Sequence, residues 1–301
     1  MKHRILAIAL LVAAPGLLAA QTDPITIRLG PAPNQTLHGR TVQDMTMSIA
    51  PDPAAAAMLP IPATSIQMSM TIDTTATVGP ADGAGHYESR MVCDNVSGTT
   101  TVNGKPAPFA MPTAAITGQA FTFFYDDAGR VIDVKAEGTL SDMMAAPIKQ
   151  ALSSAMASAP PITLTVGETV AVPTQMNLPV PAASGGSGMT VTGETRYTLV
   201  SITFDGADRI AHLKTAMTST VNRDTRAEAG APTMGADIRI TSEGTSDVNV
   251  DRGIALHTEQ RMTIDGTMRM AAPAGVTSTS MPEVPTMLMH GTATIKNDLA
   301  K

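Results

Sequence analysis

The sequence predicts a mainly β protein of antiparallel sheets with one helical segment near residues 141–158, and three observations predict it. First, apolar and polar residues alternate through stretches such as Ile66-Gln-Met68-Ser-Met70-Thr-Ile72, the pattern of a strand with one buried face. Second, turn chemistry punctuates those stretches, with Asp82-Gly83, Asn103-Gly104 and Asp205-Gly206 between alternating runs. Third, Ser141–Ser158 alone carries a sustained helical period. Met144, Ile148, Leu152 and Met156 fall four apart on one stripe, Ser141 is an acceptable N-cap, and Pro147 imposes a kink.

In chain order, Ile25, Ile27 and Leu29 form a short strand closed by Gly30-Pro31, and Met45, Met47 and Ile49 repeat the alternation before a proline-bracketed loop. After the Ile66–Ile72 strand, Tyr87, Ser89, Met91 and Cys93 share a face, which makes Cys93 a small buried residue. Prolines at 106, 108 and 112 predict a loop after Asn103-Gly104. Phe121, Phe123 and Tyr125 then lead through Asp126-Asp-Ala-Gly129 to a returning strand with Ile132 and Val134, a compact hairpin. Beyond the helical segment, Pro161-Ile-Thr-Leu-Thr-Val-Gly167 matches Pro24-Ile-Thr-Ile-Arg-Leu-Gly30, and Asp251-Arg-Gly253 matches Asp127-Ala-Gly129, traces of a duplicated β unit. Further strands follow at Met189–Leu199, Leu213–Val221, Ile238–Ile240, Ile254–Ile264 and Met287–Ile295, about a dozen in all. The organisation expected is 21–140 as a first β half, 141–160 as a helical connection and 161–301 as a second β half.

Residues 1–20 stand apart. Lys2 and Arg4 precede an apolar run that ends at Ala19-Ala20, the pattern of a secretory signal peptide, so a periplasmic or secreted location is expected. Gln21 stands where a lipoprotein would carry its lipidated cysteine. No transmembrane segment is expected after signal removal. Of 20 Lys+Arg and 26 Asp+Glu, removing Lys2 and Arg4 leaves 18 against 26, a net charge of −8. That balance and the absence of Trp argue against nucleic acid as a partner. Cys93 is the single cysteine, so an internal disulfide is excluded and the core must carry the fold.

No H-E-x-x-H, phosphate loop, dinucleotide fingerprint or G-x-S-x-G elbow is present, so no enzymatic activity, catalytic residue, metal site or cofactor is expected. Asp126-Asp127 reads as local turn chemistry. Methionine is the unusual feature: 21 residues, with M-x-M pairs at Met45/Met47, Met68/Met70, Met268/Met270 and Met287/Met289. Packing explains them in a chain poor in Phe and Leu; an adaptable apolar surface and a soft-metal site are the alternatives.

The signal sequence, the alternating strands, the D-x-G turns at Asp127–Gly129 and Asp251–Gly253, the helical segment and the strand start Pro161–Val170 together resemble periplasmic carriers of lipoproteins and lipids. They are still more similar to uncharacterised secreted bacterial proteins of the same look, whose V-G-D-S-W is Val166-Gly-Glu-Thr-Val170 here. The resemblance implies a curved half-barrel with a helix over its concave face. It also implies a lipid, another apolar small molecule or an envelope protein as the partner. The ligand-contacting residues expected are Met68, Met70, Met91, Phe121, Phe123, Met144, Ile148, Leu152, Met156 and Tyr197. The alternatives are an envelope structural or interaction protein without a ligand, and a methionine-rich copper-binding protein.

Overall fold

The computed structural model describes residues 23–28, 30–53, 56, 62–108, 116–137, 161–178, 189–223, 233–271 and 286–300. The helical segment expected at 141–158 lies outside them. Among the described residues the chain is mainly β: β1 (Ile25–Ile27), β2 (Gln35–Pro51), β3 (Thr64–Val78), β4 (Tyr87–Val102), β5 (Lys105–Ala107), β6 (Ala120–Tyr125), β7 (Val131–Glu137), β8 (Ile162–Leu164), β9 (Thr169–Leu178), β10 (Met189–Asp205), β11 (Asp208–Arg223), β12 (Thr233–Asn249), β13 (Ile254–Ala271) and β14 (Thr286–Ala300). One antiparallel sheet runs β7-β6-β4-β3-β2-β14-β13-β12-β11-β10-β9, with β5 added to β4. The last strand, β14, lies between β2 and β13, so the sheet is continuous across the two halves of the sequence. The tight turn expected at Asn103-Gly104 forms with both residues at positive φ, and the chain then returns as β5 where the prolines predict a loop.

Period-two alternation gives this sheet two unlike faces. The pairing register carries one apolar row from β3 to β13, through Met68, Met45, Ala293 and Met262, and a neighbouring row through Ile66, Met47, Gly291 and Ile264. The opposite face carries Asp44, Thr46, Ser48, Lys214 and Thr218, all exposed. At one end of the apolar face Phe121, Phe123, Tyr125, Val131 and Val134 form a buried cluster, with Tyr87 stacked on Tyr125 at 4.9 Å between ring centroids. At the other end Leu199, Ala211, Leu213 and Val248 pack with Ile25, Ile27 and Leu164.

Those last three residues come from a separate two-stranded ribbon in which β1 pairs with β8. The two matching heptapeptides of the sequence thus pair with each other about a local two-fold: Ile25 faces Leu164, Thr26 faces Thr163, and Ile27 faces Ile162. The two threonine hydroxyls hydrogen-bond at 3.0 Å on that axis.

Just past the ribbon, Gly30 fixes the curvature of the sheet. Its N–H donates to the Gly253 carbonyl at 3.0 Å in the β12–β13 turn, and a Cβ added to Gly30 would lie 2.5 Å from the Gly129 carbonyl oxygen in the β6–β7 turn. In a flat sheet β6 and β13, five strand spacings apart, would stand about 24 Å from each other. Both turns meeting one glycine therefore requires the sheet to curl toward its apolar face. Gly193, Gly244 and Gly266 on that face accommodate the curl: a Cβ on any of them would overlap the backbone of the adjacent strand.

Aspartates hold the turns at this end. The Asp126 carboxylate accepts from the backbone N–H groups of Ala128 (3.0 Å) and Arg130 (2.8 Å) and from the Arg130 guanidinium (2.7 Å). Asp251 accepts from the Arg209 side chain at 2.6 Å; within β3, Asp73 accepts from Arg40, its cross-strand neighbour on β2, at 2.7 Å. All three carboxyls are held below the ordinary carboxylate range, Asp126 chiefly by the Arg130 backbone N–H and the others by the arginine hydrogen bond. A carboxyl depressed in the folded state stabilises above its unfolded value and loses that contribution as pH falls through its folded value. Unfolding free energy should therefore be flat from neutral pH to about pH 5 and drop below about pH 4. Urea titrations across that range check this, and Asp126→Asn should make the acid slope shallower.

Candidate functional site

The apolar face between the two filled ends is the candidate site. On β14 the residues facing it at the centre are small: Gly291 and Ala293, both buried. On either flank stand larger, half-buried side chains, Met45 and Met47 on β2 and Met262 and Ile264 on β13. Small residues between large ones make a trough along β14. Met68 and Ile66 on β3 and Ile240 on β12 widen its walls, again half-buried. Unbranched Met, with three rotatable bonds, suits a surface that adapts to its occupant.

Gln43, Ser219, Ser242 and Gln260 also lie on this face, and two further hydroxyls on it are left unpaired. The Thr100 hydroxyl, on the residue opposite Met68, and the Thr215 hydroxyl, on the residue opposite Tyr197, are buried without a hydrogen-bond partner. A buried hydroxyl left unpaired costs about 1–3 kcal/mol, which an occupant carrying a polar group could recover.

The expected site residues separate into three places on this one face. Met68 and Met70 line the trough region, Met70 being 6% exposed. Met91, Phe121 and Phe123 belong to the end cluster over β4, β6 and β7. Tyr197 packs against the ribbon's cluster at the opposite end. Met144, Ile148, Leu152 and Met156 lie outside the described residues. Residues that sequence reasoning did not place here are Met45, Met47, Met262, Ile264, Gly291 and Ala293. The M-x-M signal of Met45 and Met47 was visible; the register that sets all six side by side was not.

The outer face carries polar cross-strand ties. Thr203 Oγ1 hydrogen-bonds His212 Nε2 at 2.8 Å, and His212 Nδ1 meets Asp247 at 2.7 Å. Along the same row His257 meets Asp298 at 2.6 Å and Arg40 meets Asp73. The order hydroxyl, imidazole, carboxylate is that of a nucleophile, its base and an orienting group. A catalytic site also needs walls around the reacting atoms. A depression of about 920 Å³ on this face, lined by Arg196, Lys214, Glu243, Glu259 and Arg261 among others, includes none of the three. Their evident effect is to tie β10, β11 and β12 together.

Among the described residues no group of three or more His, Cys, Asp or Glu could hold a metal ion, and no helix is long and apolar enough to cross a membrane. Cys93 is 7% exposed, its thiol pushed up by burial and by the neighbouring Asp94. No protein-family model matches the chain, and comparison with proteins of curated function finds none similar to it.

Proposed function

We propose that this is a non-enzymatic exported protein that binds an apolar ligand of the acyl-chain class, free or carried by a lipidated partner, in the methionine-lined trough. The observation that carries this reading is the contrast along one curved face. Both ends are filled by buried clusters, while Met45, Met47, Met68, Met262 and Ile264 between them are only half-buried. A pocket lined mostly by apolar groups with a few polar ones is the usual form of a small-molecule site. The unpartnered Thr100 and Thr215 hydroxyls add the polar component. The resemblance to lipoprotein and lipid carriers points the same way.

The test is a fluorescent fatty-acid displacement titration on the wild-type chain, on Met68→Glu in the trough, and on Thr46→Glu on the outer face of β2. A carboxylate among apolar contacts should weaken probe binding by at least about tenfold, roughly 1.4 kcal/mol, while Thr46→Glu leaves it unchanged. Equal binding by all three folded proteins, or no uptake by any, would overturn the reading. A native mass spectrum of protein purified without detergent should show an adduct of lipid-like mass.

A further inference from the structure

Four M-x-M pairs, far apart in sequence, are assembled by the fold into two cross-strand groups on the same face. Met45 on β2 is directly opposite Met68 on β3, with Met47 and Met70 one side-chain position further along their strands. Met268 on β13 is directly opposite Met287 on β14, with Met289 two residues along. The groups approach each other, because Met289 faces Ile49, two residues from Met47. Directly opposed residues have Cβ atoms about 4.5–5.5 Å apart and diagonal ones about 7–8 Å, within reach of flexible methionine side chains. The result is a diagonal track of thioethers across β3, β2, β14 and β13.

We propose that this track binds Cu(I), with Met45 and Met68 completed by Met47 or Met70 as one site and Met268, Met287 and Met289 as a second. Thioethers are soft, neutral donors that select Cu(I) over the harder divalent ions. The other donor types do not converge here: among the described histidines, His38, His212, His257 and His290 hydrogen-bond or pair with outer-face threonines and aspartates, and His86 pairs with Asp82 in the β3–β4 turn. Cys93 is a buried thiol on β4, in register with Thr74 of β3 and hydrogen-bonded through its backbone to Gln119 and Gly118. Cu(I) enters and leaves without change of oxidation state, so no electron donor or acceptor is required. Bulk apolarity does not distinguish methionine from leucine, whereas metal binding does. The inference therefore stands independently of the acyl-chain reading.

The experiment is an anaerobic Cu(I) titration of the full chain against a chromogenic chelator, with X-ray absorption on the loaded protein. Wild type should take up Cu(I) with a Kd tighter than about 1 µM, and the absorption should show sulfur neighbours only. The near-isosteric Met45→Leu/Met68→Leu variant should lose at least one equivalent, or about tenfold in affinity, while retaining the wild-type circular dichroism. Met217→Leu, on the same face two strands beyond Met262, should change nothing. Micromolar or weaker binding by wild type, nitrogen scattering at the copper, or full loading of the double leucine variant would each overturn the proposal. A variant that lost the fatty-acid probe but kept Cu(I) would overturn it too, and would leave the methionines as lipid contacts alone.

Discussion

Gly253→Ala should unfold the protein, or lower its stability by about 3–5 kcal/mol, above the roughly 1–3 kcal/mol of ordinary overpacking. Two effects coincide at this residue. Its φ of +66° lies in the left-handed region, where a side chain costs about 1–2 kcal/mol. A Cβ would also overlap the Gly30 carbonyl oxygen, which is backbone and cannot swing aside. Gly206 separates the two contributions, because it has nearly the same φ, +64°, but nothing within 4 Å of an added Cβ. Gly206→Ala should therefore cost only about 1–2 kcal/mol. Chemical denaturation of the two variants side by side measures the difference, which belongs to the contact with Gly30. Equal losses would mean that Gly30 does not hold the curl.

Leu164→Asp should detach the β1–β8 ribbon, and Leu164→Ala should cost about 2–5 kcal/mol. Leu164 is 0% exposed and sits opposite Ile25, inside the cluster with Leu199, Leu213 and Val248. Removing its side chain opens a cavity that the surrounding strands can collapse into only partly. Placing a carboxylate there buries a charge without a partner, and the ribbon has only three residues per strand to resist. Hydrogen exchange at residues 25–27 and 162–164 should rise to unprotected rates in Leu164→Asp while β2, β3 and β14 stay protected. If the whole sheet loses protection together, the ribbon is part of the cooperative core.

What was legible in the sequence was local. The face of Ile66, Met68, Met70 and Ile72 follows from a period of two, and the Asp126 turn from the hydrogen-bonding habit of aspartate; the structure shows both. The burial of Cys93 followed from its place on a shared face with Met91. What was not legible was register. That Met45 faces Met68 depends on how the β2–β3 connection sets the pairing, and bulges at Asp94 in β4, opposite Asp73/Thr74, and at Leu256 in β13, opposite Asp247/Val248, shift the rows between neighbouring strands. The heptapeptides at Pro24 and Pro161 were readable as copies, but nothing local indicated that the copies pair with each other. The trough is for the same reason a property of four strands together and of no single one.

The place of β14 beside β2 has a consequence in time. Thr41 and Asn297, hydrogen-bonded across that seam, are 256 residues apart, so the pairing is among the most non-local the chain can make, and such contacts form slowly. A chain is made from its N-terminus, and β2, with its Met45-Thr-Met-Ser-Ile49 run, has nothing to pair with on that side until residues 286–300 exist. Until then the nascent chain carries a long unpaired strand edge, the kind that recruits other chains. Residues 286–300 act as a clasp that closes this edge of β2.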